Sequence, residues 1–580
     1  MMAYNLRTRV RDALLQNEEE EDFGGENSAE EDNVSVQSST GSETLDYSEA
    51  EDVEEMTLNQ RILEQRERAR GRPSTTLRSK NNTKWSTLPR PRTSDRVNAE
   101  ERTPKPRNGA ENCNSVTEFW NCLFDEEMRN KIVEYTNIEI EDVCAKMMAD
   151  NAVMQTYYHT TDLKEINAFI ALLYYSGLWK SNHVSIKEIW SNTSGYNLYR
   201  SAMPKSRFQF LANHLRFDVR QNRSGDDRLS PIRELWDKFI RNCEYYYEPS
   251  NDTTVDEQLL SFRGRCKFRM YIKSKPDKYG LKIITLNDAQ NFYLINGILY
   301  LGKTGHPSNE SSGEFFVKKV TTPIHGTDRS ITCDNWFTTY PLLKDMLKDP
   351  YNMKLTGTIR KNKKEILNEM KIASKEVPSS KFCHSGDITL VSYTPKKHKL
   401  VLVVSTKIIT TNIVDNGKPQ MILYYNKTKG GTDVFDKLCH AYTTARATKR
   451  WPMRFFFGML DQAQVNARIL YTCKYLEKNL SAKSALKQLV FSLLEPYLRE
   501  KLENATLRTD IRKSILLILG ENAEAPPQGD RPELQKRARC ALCSYKKDRK
   551  TKRLCRCCLR PMCEEHQAYI CNDCGGTEYF

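Results

Sequence analysis

No apolar run in this 580-residue chain approaches the roughly 18 residues that a membrane-spanning helix needs. The opening stretch, MMAYNLRTRVRDALLQNEEE, carries charge where a secretory signal keeps an apolar core, so no secretory address is expected. Internal repeats are absent too. Between Asn17 and Gln60 there is no Lys or Arg, while sixteen Asp and Glu crowd the same stretch. The net charge of +14 therefore understates the rest of the chain, which without that segment stands at about +30. A split of this kind suits a polyanion partner for the body, with an acidic tail beside it. The plainer reading is a soluble basic protein.

Without a secretory signal a reducing compartment is expected, where clustered cysteines read as metal ligands before disulfides. Nine of the seventeen cysteines are scattered up to Cys473; eight lie between Cys540 and Cys574. Taken in pairs, the tail gives Cys540-x2-Cys543, Cys555-x2-Cys558, Cys563-x2-His566 and Cys571-x2-Cys574. Ligands two residues apart turn onto one tetrahedral zinc, so four pairs predict two closed, structural zinc sites. Cys557 offers an alternative register; the two-residue gap favours Cys558. KKDRKTKR (546–553), with Lys536, Arg537 and Arg539 upstream, suits phosphate contacts or a nuclear import signal.

Along the chain, residues 1–104 read as unstructured, acidic and then rich in Arg, Pro, Ser and Thr. Ser28 and Ser48, each with Glu three residues on, are candidate phosphorylation sites. Residues 105–250 read as helical, with apolar residues at three- and four-residue spacing in DLKEINAFIALLYYSGLW. From about Asn251 strands take over. TTVDEQLLSF, YGLKIITLND and FYLINGILYLG are strands, the last two a hairpin across DAQN. SGEFFVKKVTTPI is a helix, RSITCDN a strand, YPLLKDMLKD a helix and YNMKLTGTI a strand. This order predicts an α/β fold with a mixed sheet over 251–360. A β-rich insertion follows (361–419), the core resumes at 420–442, and 443–521 is helical again. Residues 522–539 read as a linker before the cysteine-rich end, 540–580.

Four aspartates stand out by position. Asp256 lies in the first strand, Asp334 ends a later one, and Asp433 and Asp436 share a face of one helix. If the first and fourth strands are neighbours, a helix packed on them brings Asp433 to Asp256 and Asp334. Carboxylates so gathered repel unless cations neutralise them, and two divalent ions serve phosphodiester chemistry. The simpler reading makes Asp334 the cap of a helix starting near Phe337, and Asp436 a solvent-facing residue.

Residues from about 105 onward resemble the piggyBac family of DNA transposases. TTVDEQLLSFRGRCKFRMYIKSKPDKYGLK, YLINGILYLG, ITCDNWFTTYPL, GTIRKNKKEI, VSYTPKK, GKPQMILYYNKTKGG, RWPM and the terminal cysteine pattern match in order. The resemblance implies an RNase H-like catalytic core broken by the insertion, and a helical dimerisation and DNA-binding domain assembled from the segments on both sides. It places the catalytic, Mg²⁺-binding aspartates on Asp256, Asp334 and Asp433, and a fourth required one on Asp436. Trp336 and Phe337 are expected to pack beneath the sheet. The implied reaction is nicking at transposon 3′ ends, hairpin formation on TTAA overhangs and joining to a new TTAA. Double-stranded DNA, a second copy of the chain, Mg²⁺ and zinc are the implied partners, in the nucleus. Arg263, Arg265, Lys278, Arg360, Lys363 and Arg450 are implied DNA contacts, and Trp451, next to Arg450, a base-stacking residue. The family's zinc module is a cross-brace, with Cys540, Cys543, Cys563 and His566 on one ion and Cys555, Cys558, Cys571 and Cys574 on the other. Two other readings compete: a catalytically silent, domesticated DNA-binding or chromatin protein, and a ubiquitin ligase or histone-tail reader built on the cross-brace alone.

Overall fold

The computed structural model describes residues 76–89, 101–223, 225–273, 275, 277–302, 310–414, 417–478, 480–504, 507–521, 533–555 and 560–566. Ser28 and Ser48 lie outside them. The chain divides into two compact units. One holds the described residues up to Phe124 with Leu235–Ala441 and Thr448–Ala482; the other holds Asp125–Glu234, Tyr442–Ala447 and the described residues from Lys483 onward. Among the described residues no helix is long and apolar enough to cross a membrane.

The first unit is built on one mixed sheet. Its strands are β1 (Thr76–Arg78), β2 (Lys84–Ser86), β5 (Asp252–Ser261), β6 (Met270–Tyr271), β7 (Tyr279–Asp288), β8 (Leu294–Leu299), β9 (Ser330–Cys333), β10 (Lys354–Thr358), β11 (Ser379–Ser385), β12 (Ile388–Lys396) and β13 (Lys399–Ser405). Two short strands, β3 (Lys105–Pro106) and β4 (Tyr247–Glu248), pair apart from it. The main order is β1-β2-β11-β12-β13-β10-β9-β5-β7-β6, with β8 on β7. β9 pairs in parallel with both β5 and β10. The remaining neighbours are antiparallel, including the expected β7–β8 hairpin. β7 is buried from Gly280 to Asp288, with Lys282, Thr285, Asn287 and Asp288 enclosed among Leu281, Ile283, Ile284 and Leu286.

Local chemistry sets the helix ends. Ser311 and Glu314 form a capping box before Ser312–Val320. Thr339 caps Tyr340–Met346, with Pro341 in its first turn. The helix Gln420–Thr428 lies where no helix was expected, and Gly431–Ala441 follows it. A Cβ on Gly431 would meet Thr254 Oγ1 at 2.7 Å, so that helix starts flush on β5. Trp451–Lys474 is buried along most of its length. Its Asn466 accepts from Leu294 N and donates to Leu294 O, both at 2.9 Å, and so satisfies the backbone where β8 begins.

In two places the chain departs from the sequence expectation. Residues 76–89 were expected to be unstructured, yet β1 and β2 form a hairpin that joins the sheet where Ser86 meets His384 of β11. Trp85 is its anchor: only 1% exposed, it donates to Glu365 O at 2.7 Å and packs against Tyr340. One large aromatic with a satisfied indole outweighs the polar residues around it. The last part of the expected linker is likewise a strand, Glu533–Arg539, paired with Lys550–Arg553.

In the second unit, Arg207 and Glu165 form a buried ion pair at 2.6 Å, and Arg207 also donates to the carbonyls of Tyr157, His159 and Thr160. That satisfaction is what makes a buried charge pair tolerable. Arg446 ties its segment to Ser176, Ser181 and Val184.

Trp85→Ala removes an anchor whose truncation costs about 3–5 kcal/mol in a packed core. Limited proteolysis is expected to cut the variant quickly within 76–100, with faster amide exchange in β11 and no cleavage of the remaining sheet. An unchanged digestion pattern would show that Trp85 does not hold the hairpin.

Candidate functional site

Parallel pairing sets Val255 opposite Cys333, so the next residues, Asp256 and Asp334, leave neighbouring strands at the same level. Adjacent strands lie about 4.8 Å apart. The helix Gly431–Ala441 supplies Asp433 from its first turn, which is fixed by Gly431 against Thr254 and by Thr432 Oγ1 donating to Asn287 Oδ1 at 3.0 Å. Asp436, one turn on, accepts from Gln258 Nε2 at 2.8 Å and faces His440 Nδ1 at 3.5 Å.

These acids feel one another. Burial, then Glu257, Asp334 and Asp433, push the Asp256 carboxyl well above its usual range, against the pull of Lys275. Burial and Glu257 raise Asp334, opposed by the N–H groups of Trp336 and Phe337 and by Lys282. Lys275 Nζ lies 3.3 Å from Asp433 Oδ1. Burial alone would pull this ammonium down, but Asp256 and Asp433 carry it up. Among the described residues, the His, Cys, Asp and Glu ligand atoms that all fall within 4.8 Å of one another are those of a Cys/His set. The three aspartates stand further apart than that, with a lysine ammonium among them, as like charges must. Asp256 feels both Asp334 and Asp433, so the three carboxylates share one neighbourhood, and carboxylate oxygens are the donors a hard divalent cation takes.

Asp334 also shapes its own turn. Its Oδ1 accepts from Trp336 N at 2.8 Å, and Thr338 closes on its carbonyl through N and Oγ1. The helix beyond is capped by Thr339, so Asp334 is not its cap. Phe337 is fully buried, as expected. Trp336 is only half-buried, with the Lys282 ammonium 4.2 Å from its ring centre.

Two cationic side chains touch the site, Lys275 at Asp433 and Arg360 at the Asp334 turn. Arg263 and Arg265 are exposed between the buried Phe262 and Phe268, and Lys278 is exposed in a left-handed conformation. Arg360 Nε reaches Asn335 Oδ1 at 3.2 Å, beside the Asp334 turn; Lys363 is half-buried. Arg450 precedes the Trp451–Lys474 helix, and Trp451 packs edge-on against Phe268 and Phe455, its ring half-buried. The part played by Lys275 was not singled out from sequence, where it is one of several lysines in YIKSKPDKYG.

At the cysteine-rich end, Cys540, Cys543, Cys563 and His566 converge. Measured Sγ–Sγ and Sγ–Nδ1 pairs run from 3.4 to 3.7 Å. Ligands about 2.0–2.3 Å from a tetrahedral zinc sit roughly 3.5 Å apart, so the donors fit that ion. Burial raises the thiols of Cys540 and Cys563, but backbone N–H groups and, for Cys563, His566 bring both below the ordinary value. Burial and its two thiol neighbours push Cys543 up to about 11, because a third negative charge needs a cation. Cys555 is buried; Cys557, Cys558, Cys571 and Cys574 lie outside the described residues.

Two outcomes follow. Asp256 and Asp334 keep their protons to higher pH folded than unfolded, so their contribution to the stability of the metal-free fold is fully present below about pH 4 and is lost as pH rises through the raised values. At neutral pH, Asp256→Asn is therefore expected to raise the metal-free melting temperature by about 2–4 °C and to abolish the stabilisation by Mg²⁺. A lower melting temperature would refute the repulsion. Cys543→Ser is expected to lose one zinc equivalent per chain in a chromogenic chelator assay; undiminished zinc would place the ion elsewhere.

The Transposase IS4 family profile matches residues 115–468. Among curated proteins, human PiggyBac transposable element-derived protein 3 is 23% identical over 374 residues, 60% of each chain. The human Chimeric ERCC6-PGBD3 protein is also 23% identical over 374 residues, 60% of this chain and 33% of its own length. This chain thus spans 60% and 33% of those relatives. A cryo-EM structure of a piggyBac transposase synaptic complex with hairpin DNA superposes with a TM-score of 0.71 at 36% identity, covering 82% of this chain and all of that one. With the family profile spanning more than half of its length and that structure matched along its whole chain, the protein belongs to the piggyBac family of transposases.

Proposed function

We propose that the chain is a cut-and-paste DNA transposase, which nicks transposon 3′ ends, forms hairpins and joins the freed ends at TTAA. The convergence of Asp256, Asp334 and Asp433 at the end of paired parallel strands, beside Lys275 and Arg360, carries this reading. In it the sheet is an RNase H-like core. Divalent ions held by the three aspartates supply the charge that activates an attacking oxygen and steadies a leaving one. Arg263, Arg265, Lys278, Arg360 and Lys363 hold phosphates, so that the backbone is presented in line. Trp451, half-buried at a helix start, keeps a free edge for an unpaired base. Zinc at Cys540, Cys543, Cys563 and His566, and a second ion at Cys555, Cys558, Cys571 and Cys574, stiffen a DNA-end-binding module. KKDRKTKR is its phosphate contact and a nuclear import signal. A pair of chains grips two ends.

A second reading is DNA binding without catalysis, which the similarity to a human transposable element-derived protein favours. The two separate with purified protein, Mg²⁺ and a TTAA-flanked end. Nicks and hairpins are expected, and Asp334→Ala is expected to lose them about 100-fold or more with DNA binding kept. Binding without strand cleavage by the native protein would favour the silent reading. Trp451→Ala, removing a stacking contact of about 1–3 kcal/mol, is expected to impair hairpin formation more than first-strand nicking. Equal loss of both would indicate a folding role.

A further inference from the structure

Behind the carboxylates runs a chain of two buried amides. Gln258 lies two residues beyond Asp256 on β5 and therefore on the same face. Its Nε2 donates to Asp436 Oδ1 at 2.8 Å. Its Oε1 accepts from Gln462 Nε2, also at 2.8 Å, and Gln462 stands on the Trp451–Lys474 helix. Gln258 is 1% exposed and Gln462 not at all. The order of donors is forced. A carboxylate only accepts, so Gln258 must turn its NH₂ toward Asp436, which leaves its oxygen to Gln462 and dictates that residue's orientation in turn. Three elements, β5 and two helices, are thereby locked in one register.

Stability does not account for this arrangement. Gln462 Oε1 is buried and has no hydrogen-bond partner. An orphaned acceptor of that kind costs about 1–3 kcal/mol, and an apolar side chain of similar size would avoid it. Nearby, Arg454 Nη1 is also buried without a partner, while its Nε donates to Ser261 O at 3.0 Å. Polar groups kept at such cost in a core mark a site where geometry matters more than packing.

We infer that Gln258 and Gln462 are positioning residues of the metal site: through Asp436 they fix the first turn of the Gly431–Ala441 helix and hence the approach of Asp433 to Asp256 and Asp334. The inference rests on reading those three aspartates as cation ligands. Asp433 itself is 65% exposed at its side chain, and apart from its ion pair with Lys275 it is placed by the helix that carries it. Gly431 and Thr432 pin that helix before Asp433, and the amide chain pins it one turn after. Partners beyond the first ligands commonly contribute tenfold or more to metal affinity.

The test uses the full chain with its zinc in place and follows Mn²⁺ binding by electron paramagnetic resonance, with Asp256→Asn as the blank. Gln258→Leu, Gln462→Leu and the double variant are compared with the native protein. All three are expected to melt within about 4 °C of it, yet to need about tenfold more Mn²⁺ for half-saturation. The double variant should be no weaker than Gln258→Leu alone, because breaking the middle link already disconnects the far one. Unchanged Mn²⁺ affinity, or losses that multiply, would overturn the positioning role while leaving the metal reading intact. Absence of Mn²⁺ binding in the native protein, beyond the Asp256→Asn blank, would overturn both. Should the leucine variants fail to fold, the exchange of Gln258→Glu with Asp436→Asn keeps every hydrogen bond and moves the charge one link along. It is expected to bind Mn²⁺ within about threefold of native; a loss as deep as that of Asp436→Leu would show that the charge, and not the linkage, is what the site requires.

Discussion

The parallel pairing of β5 with β9 is the constraint on which the larger unit depends. A one-residue slip would send either Asp256 or Asp334 to the opposite face of the sheet. The register is therefore held from several sides. Thr253 Oγ1 donates to the carbonyl of Ser330, Thr254 Oγ1 makes a short hydrogen bond to Thr428 O, and Thr332 meets Thr428 at 2.7 Å. The helix Gln420–Thr428 thus rivets the two strands together from one face before the chain turns into the helix that brings Asp433. Burying two acids side by side is unfavourable by itself, and the fold accommodates it with Lys275, whose ammonium stands in for a cation.

Much of this was legible in the residues. The alternation of strands and helices from TTVDEQLLSF to YNMKLTGTI follows from local periods and breakers, and the hairpin across DAQN from turn chemistry. Asp334 was conspicuous because a strand that ends on a carboxylate and two aromatics is unusual in composition. The helix Gln420–Thr428 was not legible. QMILYYNKT is as apolar and β-branched as many strands, and its helical state is decided by packing on β5 and β13.

Tertiary context hid the rest. Trp85 is one aromatic among Lys, Asn, Ser and Thr, and nothing local says that a turn 280 residues on will accept its indole hydrogen bond. Gln258 and Gln462 are separated by 204 positions, so their contact exists only once β5 and the long helix have met. Glutamine is ordinarily a surface residue, and no sequence period distinguishes a buried one. Trp336 shows the converse: an aromatic assigned to the core lies half-exposed because Lys282 offers its ring a cation.

The β1–β2 hairpin also bears on where this chain can be cut. β11 ends the run β10–β13–β12–β11, and among the described residues β2 meets it on its far side, through Ser86 and His384. Trimming to residue 101 would strip that cover and leave a bare row of amides and carbonyls ready to recruit a strand from another molecule. Trimming to residue 75 would leave it sealed. Folded structure thus begins a full hairpin earlier than composition implies, and shortened versions of this protein should differ in solubility according to which side of Trp85 they begin.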